Sequence, residues 1–382
     1  MMSYRRALVL ATAAVLAGCS DASQPTSPAE MPSPASSRKP GSTAGITVTN
    51  LSLSGSRSDS RAEDVDDQGR IVGSRGTFSG PLRAFLWTPT SPRATTGAAI
   101  DLGDLGGGAA LARGINAVGQ IVGFSTTPTA GQHPFLWEGG SMHDLGIPAG
   151  TDLAEAMDVN DAALRRVAGG VASPLDHAYV WTVSGSGAGF LVTALDVLPG
   201  LSTSGSFAFA LNDAGAVVGY SNVLSGYSNQ PVSWNNSGSG WAVNPLARLP
   251  SAVGGIARDI NSAGKIVGTN VFPGSGCSRR AVVWATGNAA AAQLPMLSGG
   301  ACAEAWSVND AGQISGVSAD ARGAYRAVLW RPLTAGGYSV TDLGAAWQVN
   351  GMNEPSALGA VEVVGIGGPR SFATSATLWT IN

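Results

Sequence analysis

The sequence predicts an all-β protein, a seven-bladed β-propeller of four-stranded antiparallel blades. Three observations carry that expectation: a glycine excess, a motif written seven times, and chain ends offset by one strand. Glycine supplies 53 of 382 residues, with 21 prolines beside it. That is roughly double the ~7% glycine of an average protein. Glycine inside a helix costs about 1 kcal/mol against alanine, so the composition disfavours helices. Hydrophobic residues make up 44% and charged residues only 12%, which disfavours disorder over most of the chain.

The repeat is read from two markers. Seven tryptophans close strand-like runs: Trp87, Trp137, Trp181, Trp234, Trp284, Trp330 and Trp379. Upstream of each lies Asp66, Asn116, Asn160, Asn212, Asn261, Asn309 or Asn353, and marker and tryptophan are 21, 21, 21, 22, 23, 21 and 26 residues apart. Two signals held in near-constant phase through seven copies define a structural unit.

Each unit divides into four strands. The first ends in the marker, as in Ala257-Arg258-Asp259-Ile260-Asn261. A turn such as Asn261-Ser262-Ala263-Gly264 follows, with glycine free to take the left-handed conformation of a bulged hairpin. The second strand is Ile-Val-Gly or its like (Ile71-Val72-Gly73, Ile121-Val122-Gly123). The tryptophan run forms the third (Ala84-Phe85-Leu86-Trp87). The fourth is Val340-Thr341-Asp342-Leu343 and its echoes at Asp101-Leu102 and Asp144-Leu145. Repeat three is the least regular, with 9 residues from Asn160 to Gly169 where Asn116 to Gly123 spans 7. Four strands per unit is the size of a propeller blade. The last unit stops after its third strand, and Ile46-Thr47-Val48-Thr49-Asn50-Leu51 reads as the missing fourth. The N-terminal strand is therefore expected to complete the last blade and close the ring, removing exposed sheet edges. An open solenoid or a differently split sandwich are the alternatives.

The repeat text resembles the HAF-repeat extracellular proteins of bacteria. The family's Ile-Asn-x-x-Gly-Gln-Ile-Val-Gly stretch matches residues 115–123, and its His-Ala-Phe-Leu-Trp stretch matches His133-Pro134-Phe135-Leu136-Trp137. Pro134 departs from the pattern, whereas Ala84 and Ala178 keep it in other copies. The resemblance covers about residues 61–382. It implies an exported protein and no particular activity.

The N-terminus agrees with export. Arg5 and Arg6 precede an apolar run over residues 7–16, a secretory signal too short for the ~20 residues of a membrane span. Leu16-Ala17-Gly18-Cys19 resembles the lipobox of bacterial lipoproteins, in which the cysteine is lipidated and becomes the first mature residue. Removal of residues 1–18 leaves 20 basic against 25 acidic residues, a net charge of −5 in place of −3. Residues 19–45 are rich in Ser, Pro, Ala and Thr and read as a disordered tether of roughly 25–30 Å, with the propeller over residues 46–382. Ser20 after the lipidated Cys19 resembles the sorting pattern for the outer membrane. The expected location is the bacterial cell envelope, anchored through lipid at the outer membrane or cell surface.

Catalytic motifs are mostly absent: no Gly-x-Ser-x-Gly, His-Glu-x-x-His, Cys-x-x-Cys or phosphate loop occurs. No cofactor and no metal are expected. Asp64-Val65-Asp66-Asp67-Gln68-Gly69 resembles the start of a calcium loop, but the twelfth position is Arg75 rather than Glu. His133 and His177 stand four residues before their tryptophans, where other repeats carry Arg83, Gln230, Arg280, Arg326 and Ser375; that rotation suits a structural hydrogen bond. Cys277 and Cys302, the thiols remaining beside Cys19, fall on connections that a propeller brings to one face, so a disulfide is expected. The acidic balance argues against a nucleic-acid partner.

The most informative position lies three residues before each marker: Glu63, Arg113, Met157, Phe209, Arg258, Trp306 and Asn350. One before the marker is always apolar, and four before is Ala six times and Val349 once. Uniform neighbours serve packing. The variable residues should ring the mouth of a central channel, where they suit a glycan or an envelope protein; the plainer reading is that they face water at the rim. The expected function is a tethered, non-catalytic binding module. The alternative is an envelope glycan hydrolase or lyase, which needs two carboxylates about 5–10 Å apart; Glu63, Asp64, Asp158 and Asp259 are its nominees. A structural assembly factor at the outer membrane is a third reading.

Overall fold

A computed structural model describes residues 45–382, apart from 52–58, 77–80, 130, 172–176, 185–188, 200–204, 223–228, 239, 275–276, 288 and 368–374. The chain divides into residues 1–42 and 43–382. The signal sequence, Cys19 and residues 19–44 of the tether lie outside the described residues.

Every element among the described residues is a strand. The hairpin turn after the first strand shows why the marker is Asn or Asp. In repeat two the Asn116 amide N–H donates to the Gln120 carbonyl, and Gly119 donates to the Asn116 carbonyl. The Asn116 side chain accepts from the Gln120 N–H at 2.9 Å. Gly119 turns the chain at φ +87°, a conformation that costs glycine nothing sterically. In repeat one Asp66 accepts in the same way from Arg70 N–H at 2.9 Å.

The first sheet comprises Asp59–Val65, Ile71–Gly76, Arg83–Pro89 and Gly97–Asp101, paired antiparallel in sequence order. Repeats two to five repeat this pattern, each as a four-stranded antiparallel sheet. The last sheet differs from the expected pair of separate blades. It has seven strands, because Tyr338–Met352 runs unbroken from the fourth strand of repeat six into the first of repeat seven. The physical reason is the short connection. Eight residues separate Asp101 from Ala110, but Leu343-Gly344-Ala345 leads straight into the next first strand. Ile46–Asn50 lies on the far edge of that sheet, antiparallel to Ser375–Ile381, with Val48 opposite Trp379 and Asn50 opposite Thr377.

Seven apolar clusters lie between neighbouring repeats. One joins Ala62, Val65, Phe85 and Trp87 of repeat one to Val364, Ala376 and Leu378 of repeat seven, with Leu51 beside them. The tryptophans anchor this packing twice. Trp181, Trp234, Trp284, Trp330 and Trp379 are fully buried. Four of the indole N–H groups donate to the connection leaving the preceding repeat: Trp181 to Gly146, Trp234 to Asp196, Trp284 to Ala247 and Trp330 to Pro295. A large ring with one satisfied polar edge fixes both the spacing and the angle of adjacent sheets.

Candidate functional site

Each first strand is interrupted by a β-bulge, and the extra residue is the variable one. The register skips between Ala62 and Asp64, Ala112 and Gly114, Ala156 and Asp158, and Ala208 and Ala210. It skips again between Ala257 and Asp259, Ala305 and Ser307, and Val349 and Gly351. The residues left unpaired are therefore Glu63, Arg113, Met157, Phe209, Arg258, Trp306 and Asn350. A bulge re-aims a side chain out of the strand's alternation. The flanking alanines pack into the inter-repeat clusters. Six of the seven variable residues are half-buried, and Glu63 is buried.

The bulge also explains the glycine of the second strand. Ala112 pairs with Gly123, and a Cβ on Gly123 would overlap the Leu111 carbonyl oxygen. The same overlap awaits Gly73, Gly169, Gly219, Gly268, Gly316 and Gly365. No side chain fits opposite a backbone bent in this way.

First strands of consecutive repeats lie beside one another, and that of repeat seven lies beside that of repeat one. The bulged residues consequently meet. Arg113 reaches Glu63 at 3.4 Å and Glu155 at 3.2 Å. Burial opposes the charge on Arg113, but the two carboxylates outweigh it and hold its pKa above the ordinary arginine value. The Arg258 guanidinium lies 4.2 Å from the Trp306 ring centroid and 4.7 Å from that of Phe209. Phe209 also packs on Phe207 and Tyr220. Asn350 donates to the Ala62 carbonyl at 2.8 Å and accepts from Gln348 at 2.6 Å.

Arg258 stands apart chemically. It makes no hydrogen bond among the described residues, and its buried Nε and the buried Nε1 of Trp306 both lack an acceptor. The nearby carboxylate, Glu304, is bonded to Arg279 at 2.9 Å. Burial lowers the Arg258 pKa to about 10, with Glu304 raising it and Arg279 lowering it.

The acids nominated for catalysis have other occupations. Asp64 accepts from Val65 N–H at 2.8 Å and, in the next repeat, from Ile115 N–H at 3.0 Å. Asp158 does the same with Val159 and Leu211, and Asp259 with Ile260 and Val308. Burial is the largest influence on all three and raises their pKa values, that of Asp64 to about 7 and that of Asp158 well above the usual range. The matching position in repeats two, four, six and seven is Gly114, Ala210, Ser307 and Gly351. A Cβ on Gly351 would crowd the Asp64 carboxylate at 2.6 Å. Sequence reasoning missed this clasp, although Asp in repeats one, three and five alternating with small residues was its signal.

The remaining candidates are structural in their contacts. In the 64–69 turn Asp66 pairs with Arg70, and Asp67 accepts from Glu354 N–H at 2.9 Å. His133 bonds Asp144 at 2.8 Å, as Arg83 bonds Asp104 and Arg326 bonds Asp342. Cys277 and Cys302 are joined as a disulfide with their Cα atoms 5.7 Å apart.

No protein-family model matches the chain, and no curated protein matches it in sequence. Among solved structures it is similar to the β-propeller domain of the Trilobed protease from Pyrococcus furiosus, with 10% identity over 85% of this chain and 96% of that one at a TM-score of 0.49. It is also similar to the gluconolactonase XC5397 of Xanthomonas campestris, with 13% identity over 85% and 87% at 0.41. The Aleuria aurantia lectin gives 13% over 76% and 97% at 0.40. Likeness at this level carries over no residue and no ligand.

Proposed function

We propose that residues 46–382 form a closed seven-bladed propeller that acts as a non-catalytic binding module, tethered to the bacterial envelope through lipid on Cys19. The closure reading is supported by the apolar cluster shared by repeats one and seven and by the edge strand Ile46–Asn50. In such a ring the first strands line a central channel, and the bulged residues open into it.

One observation carries the binding reading. All seven first strands bulge at the same residue, and that residue is the one whose chemistry changes from repeat to repeat. Packing positions on either side stay uniform because they fill the inter-repeat clusters. A scaffold that holds seven side chains of six kinds at one level suits recognition of a glycan or an envelope protein. The likeness of the repeat text to the HAF-repeat proteins agrees with an exported role.

The test is capture from solubilised envelope and on immobilised glycans by the mature chain. Variants Arg258→Ala and Trp306→Ala should lose capture while the turn-face variant Val118→Ala retains it. Equal capture by all three overturns the channel-mouth reading. Radiolabelled palmitate entering the wild type but not Cys19→Ser supports the anchor; label in neither chain contradicts it.

A further inference from the structure

We propose that the guanidinium edge of Arg258, held between Phe209 and Trp306, is a carboxylate-binding subsite that takes a hexuronic acid residue of an acidic glycan. The inference deepens the binding-module reading and rests on it for the ligand's access.

The buried Nε of Arg258 has no acceptor among the described residues. The carboxylate whose charge acts on it, Glu304, is hydrogen-bonded to Arg279. Arg113, by contrast, is paired with two carboxylates. A half-buried guanidinium with an unpaired N–H is costly, and a single negative charge relieves it.

Geometry narrows the class. The rings of Phe209 and Trp306 pack against the guanidinium, and its Nε–H is left without an acceptor. The guanidinium edge is a planar fork matched to the two oxygens of a carboxylate. A phosphate dianion would overcompensate a single guanidinium. The half-buried rings of Phe209 and Trp306 offer apolar edges to the C–H face of a pyranose. The bulged residue of the next repeat, Asn350, with its partner Gln348, supplies amide groups of the kind that pair with sugar hydroxyls.

The test follows the Arg Nε–H and Trp Nε1–H signals of the nitrogen-15-labelled mature chain. Arg258→Met and Trp306→Phe identify the two signals by their loss. Sodium galacturonate should shift both in a saturable way, at concentrations where galactose, sodium chloride and inorganic phosphate leave them in place. Sodium acetate should act on the same signals at least tenfold more weakly. Arg258→Lys keeps the charge without the fork and should weaken galacturonate about tenfold. No shift with galacturonate, an equal shift with chloride or phosphate, or acetate binding as tightly as galacturonate overturns the proposal. Envelope capture without a uronate response sinks the subsite alone. A uronate response in a chain that captures nothing sinks the binding-module reading alone.

Discussion

The side-chain amide of Asn353 donates to the backbone carbonyl of Asp66 at 3.2 Å, across 287 residues of chain. The same bond joins Asn116 to Asn160, Asn212 to Asn261, Asn261 to Asn309 and Asn309 to Asn353. Two markers leave the series. Asp66 has no donor to offer and pairs with Arg70, and Asn160 turns to the Leu164 carbonyl at 3.4 Å.

Asn353→Ala should therefore cost as much as Asn309→Ala, about 1–3 kcal/mol each. Asn160→Ala should cost less, since it loses no bond to a neighbouring repeat. Urea denaturation midpoints give the comparison. In an open array the terminal repeat frays first, and Asn353→Ala would then be the mild variant.

Replacing the second-strand glycine is expected to be severe. Gly123→Ala sets a Cβ against the Leu111 carbonyl oxygen, so either the bulge or the pairing must yield. A loss of more than about 2 kcal/mol is expected. Gly139→Ala, at φ +58° with open space around it, should cost less, as urea denaturation of the two variants would show.

Much of this was legible in the sequence. The tryptophan and marker phases gave the repeat, and the packing positions were identified by their uniformity. The bulge was missed, although it was encoded. Ala62 and Val65 are both buried in one cluster and stand three apart, whereas the two-residue period of a strand requires an even spacing. An odd spacing between two core residues implies an extra residue between them. The chemistry of Arg258 was less accessible, because which carboxylate it lacks depends on Glu304 being taken by Arg279, a pairing across separate strands. The fused last sheet follows from a linker length that strand periodicity does not register.

Stability should fall as pH rises from about 4 to about 7. Asp64 has an ordinary value of 3.8 and a folded value of about 7, and burial raises Asp158 and Asp259 in the same direction. The folded chain then holds more protons than the unfolded one in this window, so each deprotonation weighs against the fold. Asp64→Asn should flatten the slope of melting temperature against pH while lowering its level, since the two N–H groups bond different oxygens of Asp64 and an amide sets an NH2 against one of them. An unchanged slope contradicts the assignment.

The Cys277–Cys302 disulfide closes a 25-residue separation, for which chain entropy gives about 3.5 kcal/mol. Reductant should lower the melting temperature of the wild type to that of the Cys277→Ser/Cys302→Ser chain. Two titratable thiols in protein taken from the envelope, with no response to reductant, would rule the bond out.

The proposed binding reading rests on ring closure, and Asn50 with Thr377 tests that closure most directly. The two residues are register partners on the last sheet, with Thr377 Oγ1 donating to Asn50 Oδ1 at 3.3 Å. In a Cys19→Ser background, Asn50→Cys with Thr377→Cys should oxidise within one chain, leave no free thiol and raise the melting temperature. Thiols that stay free, or cross-links that form only between chains, would contradict the closed ring.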